Sequence, residues 1–211
     1  MKRHSGAVLA AFSVIFLSGL PSQAAPGAIK TPVSANETRL RATLNGLFAQ
    51  YLDRQRTLVD KTLADVGDSD DAVLALAETM EDIGDVFKDY YGEADGGQIA
   101  RLLKQYVQMP GDYVEALREH EDTTAITRVM REKGDEIAGL LNSFSPAWLD
   151  SGLSDLLKEY SDLMVDEIEM KDDSFGKPDP DIFIETSETC AEMADAFSAG
   201  IVKQFPGKFP L

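Results

Sequence analysis

Cysteine and histidine are almost missing from this 211-residue chain: Cys190 stands alone, and His4 and His120 are the only imidazoles. One cysteine cannot close an intramolecular disulfide, so packing has to hold the fold. Two histidines leave too few ligands for a haemerythrin-like centre, and no Glu-x-x-His pair suits a di-iron bundle. Any Ser-His-Asp or Cys-His catalyst would depend on His120, which lies among acids in Arg118-Glu119-His120-Glu121-Asp122 and reads as a solvated helix end. Basic charge is scarce too, with 20 Lys and Arg against 37 Asp and Glu and a formal net charge of −17. Nucleic acid and anionic membrane surfaces repel such a chain and are not expected partners. There is no Gly-x-x-x-x-Gly-Lys loop and no Gly-x-Gly-x-x-Gly turn, so nucleotide chemistry has no support. No cofactor is expected.

The N-terminus carries an export signal. Lys2, Arg3 and His4 precede an apolar run over residues 6–20, and Pro21 is followed by Ser22-Gln23-Ala24, with small residues at the cleavage positions. The run is short for a bilayer span, which takes about 20 residues. Residues 1–24 are therefore read as a signal peptide, 25–36 as a linker and 37–211 as one α-helical domain. The expected location is the periplasm or the medium, with no membrane span after cleavage.

Apolar residues recur at spacings of three and four throughout, and no stretch alternates with period two, so the expected class is all-α. Six helices are predicted, as three sequential hairpins in one bundle. The first is capped by Asn36 and striped by Leu40, Leu44, Phe48, Tyr51, Leu58 and Leu63. The second ends at Gly92. The third meets a kink or break at Pro110-Gly111, and the fourth starts at Thr123 or Thr124. The fifth starts at Ser145-Pro146, a cap followed by a first-turn proline, and the sixth at Asp179-Pro180 by the same device.

A phrase repeats about every 54 residues: Leu47-Phe48-Ala49-Gln50-Tyr51, Leu102-Leu103-Lys104-Gln105-Tyr106 and Leu156-Leu157-Lys158-Glu159-Tyr160. Each tyrosine lies three or four residues from large apolar neighbours, so each belongs on or beside an inward face. Pseudo-symmetry would gather Tyr51, Tyr106 and Tyr160 near one axis. Buried phenols need partners, because an unmet buried hydroxyl costs about 1–3 kcal/mol. The intervening helices offer Glu81, Asp82, Asp135, Glu136 and Asp195, while Arg56 and Glu167 lie within reach of the same layer. These ten residues form the candidate ligand-binding set. Cys190, beside Thr186 and Met193 on the last stripe, reads as a buried thiol or a dimer-forming one.

Asp89-Tyr90-Tyr91-Gly92, Asp135-Glu136-Ile137-Ala138, Ser145-Pro146-Ala147-Trp148 and Met193-Ala194-Asp195 stand in an order and spacing that resembles one family of small helical bacterial proteins. The ending Gly200-Ile201-Val202-Lys203-Gln204-Phe205-Pro206 is the most specific element of the likeness, which runs from Leu40 to Phe209. Many members are exported, and some bear labels such as acetylglutamate kinase or glycosyltransferase that their residues do not support. The resemblance implies histidines at the positions of Tyr51, Tyr106 and Tyr160, an arginine at Arg56, and hence a histidine metal site in relatives. Here phenols stand in all three places.

The expected function is that of an exported, acidic binding or interaction protein without a catalytic site. The alternative is a small-ligand or metal-ion binder that uses the tyrosine–carboxylate layer. A second alternative is a carboxylate acid–base enzyme. The partner is a protein, a small molecule or a second copy of the chain. A closed tyrosine layer favours the first reading, a solvent-connected cavity the second, and two acids facing across a cleft the third.

Overall fold

A computed structural model describes residues 33–64, 70–149, 151–173 and 179–211. The signal peptide expected at 1–24, most of the linker at 25–36, and the acidic stretches around Asp68 and Ser174 lie outside the described residues. The described residues are helical and contain no strand. They form α1 (Ala35–Leu63), α2 (Asp70–Arg118), α3 (Thr124–Phe144), α4 (Leu153–Asp173) and α5 (Pro180–Gln204), with short 3-10 turns at Pro146–Trp148 and Pro206–Lys208. Among them no helix is long and apolar enough to cross a membrane.

Five α-helices stand where six were predicted, and the difference lies at Gly92. Helical geometry breaks there at one residue, at φ 78° and ψ 173°, so α2 is two helical arms joined across a kink at the predicted stop. A left-handed φ of this kind suits glycine, which has no Cβ to clash. The two arms of α2 double back on each other. A Cβ on Gly84 would lie 2.4 Å from the Cβ of Ala100, and one on Gly96 would lie 2.6 Å from the Cα of Lys88. Glu81 and Lys104 close the same antiparallel pairing as an ion pair. The break expected at Pro110 is absent. Its neighbours keep helical dihedrals, so the missing amide is absorbed within a buried stretch of α2.

The ends of the helices follow local chemistry. Ser34, rather than Asn36, caps α1 by accepting from the Glu37 amide. Asn36 instead lies inside the helix and donates to the Lys208 carbonyl at 2.9 Å. Asp122 accepts from the Thr124 amide at 2.9 Å at the start of α3. Asp179 caps α5 through the amides of Asp181 and Ile182, as its Asp-Pro pair predicts. Ser145-Pro146 does start a helical turn, but only a 3-10 one; α4 begins after Gly152, whose φ is 67°.

Each helix packs on its neighbours in a closed order, with α1 against both α2 and α5, and α3 and α4 completing the circuit. Ile83, Phe87, Leu141, Ile168, Phe197 and Ile201 are wholly buried at the centre. The 3-10 turn after α3 inserts Trp148 into this core. Its Nε1 donates to the Tyr91 hydroxyl and to Gln204 Oε1, both at 3.0 Å, and Tyr91 donates to Gln204 at 2.6 Å.

Candidate functional site

The repeated phrase does bring its tyrosines together. Tyr51, Tyr106 and Tyr160 are 1%, 3% and 1% exposed. The ring centroids of Tyr51 and Tyr160 are 5.9 Å apart, and those of Tyr106 and Tyr160 are 6.4 Å apart. Tyr106 donates to the Leu157 carbonyl at 2.6 Å and shares a 2.9 Å hydrogen bond with the Ser161 hydroxyl. The Tyr51 and Tyr160 hydroxyls have no partner beyond each other, and neither side-chain polar atom of Gln55, which is fully buried, makes a hydrogen bond. Burial pushes all three phenols above their ordinary value of 10.0; the Ser161 bond partly offsets this for Tyr106. Burial likewise pushes the Cys190 thiol up to about 12.

The carboxylates assigned to this layer lie outside it. Glu81 and Asp82 are exposed, and Glu81 is held by Lys104, whose hydrogen bond lowers its pKa. Asp135 accepts from Ser154 at 2.6 Å and pairs with Lys158 at 2.7 Å, contacts that also lower its pKa, the lysine first. Glu136 pairs with Lys133 at 2.6 Å. Asp195 accepts from Asn45 at 3.2 Å and sits 3.5 Å from Arg41. The cause is helical periodicity. Each acid lies one or two residues from a buried Ile83, Ile137 or Ala194, and each residue step turns a side chain by about 100°.

Arg56 and Glu167 are the two expected charges that do reach the interior. Arg56 Nε donates to Glu167 Oε1 at 2.8 Å and Nη2 to Oε2 at 2.9 Å, a bidentate pair that is 13% and 2% exposed. Arg56 also donates to the Phe183 carbonyl and the Ser187 hydroxyl, and its guanidinium lies 3.6 Å above the Phe183 ring. Lys171, only 4% exposed, bridges Asp60 at 2.7 Å and Glu167 at 3.6 Å. Above this network is a groove of about 490 Å³ lined by Asp53, Arg56, Asp60 and Phe183, with Leu52, Lys171 and Cys190 as its most buried residues.

Sequence reasoning missed Gln55, Ser161 and Lys171. Gln55 carries a legible signal, a polar side chain four residues after Tyr51 on an otherwise apolar stripe. Lys171 follows Glu167 by one turn, the spacing of a helical ion pair. Among the described residues, no group of three His, Cys, Asp or Glu stands close enough to hold a metal ion. His120 is exposed in the turn after α2. Comparisons with protein-family models, curated proteins and solved structures return no match to this chain.

Proposed function

We propose that this chain is an exported, acidic helical-bundle protein that binds a protein partner through one end of the bundle and performs no catalysis. The observation that carries this reading is a set of apolar side chains left in water at one end of the bundle. Val73, Leu74, Met170, Phe183 and Ile184 are between 39% and 60% exposed. They belong to the opening turns of α2 and α5 and the closing turn of α4. All of these turns stand level with one stretch of α1. Arg54 donates to the Ala75 carbonyl and Thr79 hydroxyl, while Arg56 reaches Glu167 and Phe183. Exposed apolar groups concentrated at one place mark interaction surfaces.

The interior supports the same choice. The three tyrosines are buried, and of the acids proposed for ion binding or acid–base work Glu81, Asp135, Glu136 and Asp195 are met at the surface by lysines, an arginine or hydrogen-bond donors. Export from residues 1–24 and membership of the small helical bacterial family belong to this proposal. So does a finer view of the fold: with the arms of α2 counted separately at Gly92, the bundle is three hairpins in sequence.

Native mass spectrometry of protein purified from its exported fraction tests the reading, with a Leu74→Glu/Ile184→Glu variant alongside. The expected result is a chain starting near Ala25 that retains a partner protein or a second copy. The variant loses that partner while its circular dichroism is unchanged. A wild-type monomer, or a partner retained equally by the variant, would overturn it.

A further inference from the structure

Three buried side chains of the core keep unmet hydrogen-bonding capacity: the Tyr51 and Tyr160 hydroxyls have no partner beyond each other, and Oε1 and Nε2 of Gln55 have none. Gln55 follows Tyr51 by one helical turn on the same face of α1, and the Tyr160 ring packs 5.9 Å from that of Tyr51. Buried polar atoms are nearly always paired, and a cluster of unpaired ones points to a shared partner. We propose that Tyr51, Gln55 and Tyr160 form an internal site for a small uncharged molecule that both donates and accepts hydrogen bonds.

The class of guest follows from the lining. A hydroxyl can donate or accept, and an amide does both, so three such groups match a guest with both capacities. An ion would be uncompensated there. Arg56, the nearest buried cation, is already met by Glu167, and no acid reaches the layer. The packed rings limit the guest to a few heavy atoms. Water is the smallest member of the class, typically held by about three hydrogen bonds when buried; a short amide or alcohol is a larger one. The route in is the Arg56 groove. Its most buried lining residues, Cys190, Lys171 and Leu52, are 2%, 4% and 6% exposed, and Leu52 directly follows Tyr51 in α1. Cys190 is thus a reporter on the path, its thiol 3.5 Å from the Phe48 carbonyl one turn before Tyr51 and Leu52.

Oxygen-17 relaxation dispersion on the exported protein counts waters held longer than the molecule tumbles. The expected result is at least one fewer such water in Gln55→Leu than in wild type, with Ser161→Ala unchanged. Should Gln55→Leu fail to fold, Tyr160→Phe serves in the same comparison. A second arm measures the rate at which N-ethylmaleimide labels Cys190 with and without excess acetamide. If the native guest is organic, acetamide slows labelling several-fold; if it is water alone, the rate is unchanged and the missing water carries the result. An equal water count in wild type and variant, together with no protection by acetamide, overturns the site. The outcome is separable from the surface reading, which depends on Leu74 and Ile184 rather than on Gln55.

Discussion

At Gly200 the absence of a side chain lets the Trp148 indole lie directly against α5. A Cβ there would meet three ring carbons at 2.2–2.5 Å, and the ring is pinned by hydrogen bonds to Tyr91 and Gln204. Gly200→Ala is therefore expected to destabilise the fold by about 1–3 kcal/mol, read as a lower urea midpoint with an unchanged slope. Tyr106→Phe should cost less, about 1 kcal/mol. The Leu157 carbonyl that Tyr106 binds keeps the Ser161 hydroxyl as a donor, so no buried group is stranded. The same measurement checks it; a loss well above that figure would mean the phenol holds more than its two observed partners. The inward direction of the three tyrosines was legible from Leu-Leu or Leu-Phe phrases at constant spacing. The direction of the acids was not, because Asp82 beside Ile83 and Asp195 beside Ala194 differ from inward positions by a single residue. Periodicity marks the stripe well and its edges poorly.

The Arg56–Glu167 pair acts at the scale of elements, since it ties α1 to α4 while Arg56 also reaches α5. Removing the guanidinium leaves a carboxylate 2% exposed with only Lys171 nearby, at 3.6 Å. Arg56→Met is expected to destabilise by about 3 kcal/mol, and adding Glu167→Leu should recover much of that, because breaking a buried pair costs more than replacing both partners. A double-mutant cycle from chemical unfolding checks it; additive losses would show that the two charges are not coupled. Among the elements, the Asp179-Pro180 start of α5 and the stop before Pro206 could be read from sequence, since each rests on a local hydrogen bond or a missing amide. The junction after Ser145 could not, and Gly92 was legible as a helix end but not as a one-residue link. A cap-plus-proline pair starts a 3-10 turn as readily as a long helix, and Trp148 has to leave the helical path to fill the space above Gly200. Gly92 permits a stop, but the close approach of Gly84 to Ala100 and of Gly96 to Lys88 turns it into a one-residue reversal.

For the molecule as a whole, the placement of the phenols governs its response to alkali. All six tyrosines have a pKa above the ordinary value, chiefly through burial, Tyr91 to about 12. Cys190 is raised from 9.0 to about 12 for the same reason. Below about pH 9 both the folded and unfolded chains keep these protons, so nothing is gained or lost. Above it the unfolded chain releases them more readily than the folded chain, which favours unfolding. The urea midpoint should fall steadily from about pH 9 towards pH 12, with tyrosinate absorbance rising together with unfolding. Ionisation of Tyr51, Tyr106 and Tyr160 in a fully folded chain would contradict it. The all-helical class was legible because it depends only on the period of the apolar residues; the closed order of the helices rests on contacts distant in sequence, which no local pattern carries. That closure brings Asn36 within 2.9 Å of the Lys208 carbonyl, so the two ends of the described bundle are neighbours. Peptide order and spatial order can then be uncoupled. Joining Leu211 to Val33 through a short linker and opening the exposed turn at Glu119–Thr123 should give a circular permutant with the helical signal and melting temperature of the parent, within a few degrees.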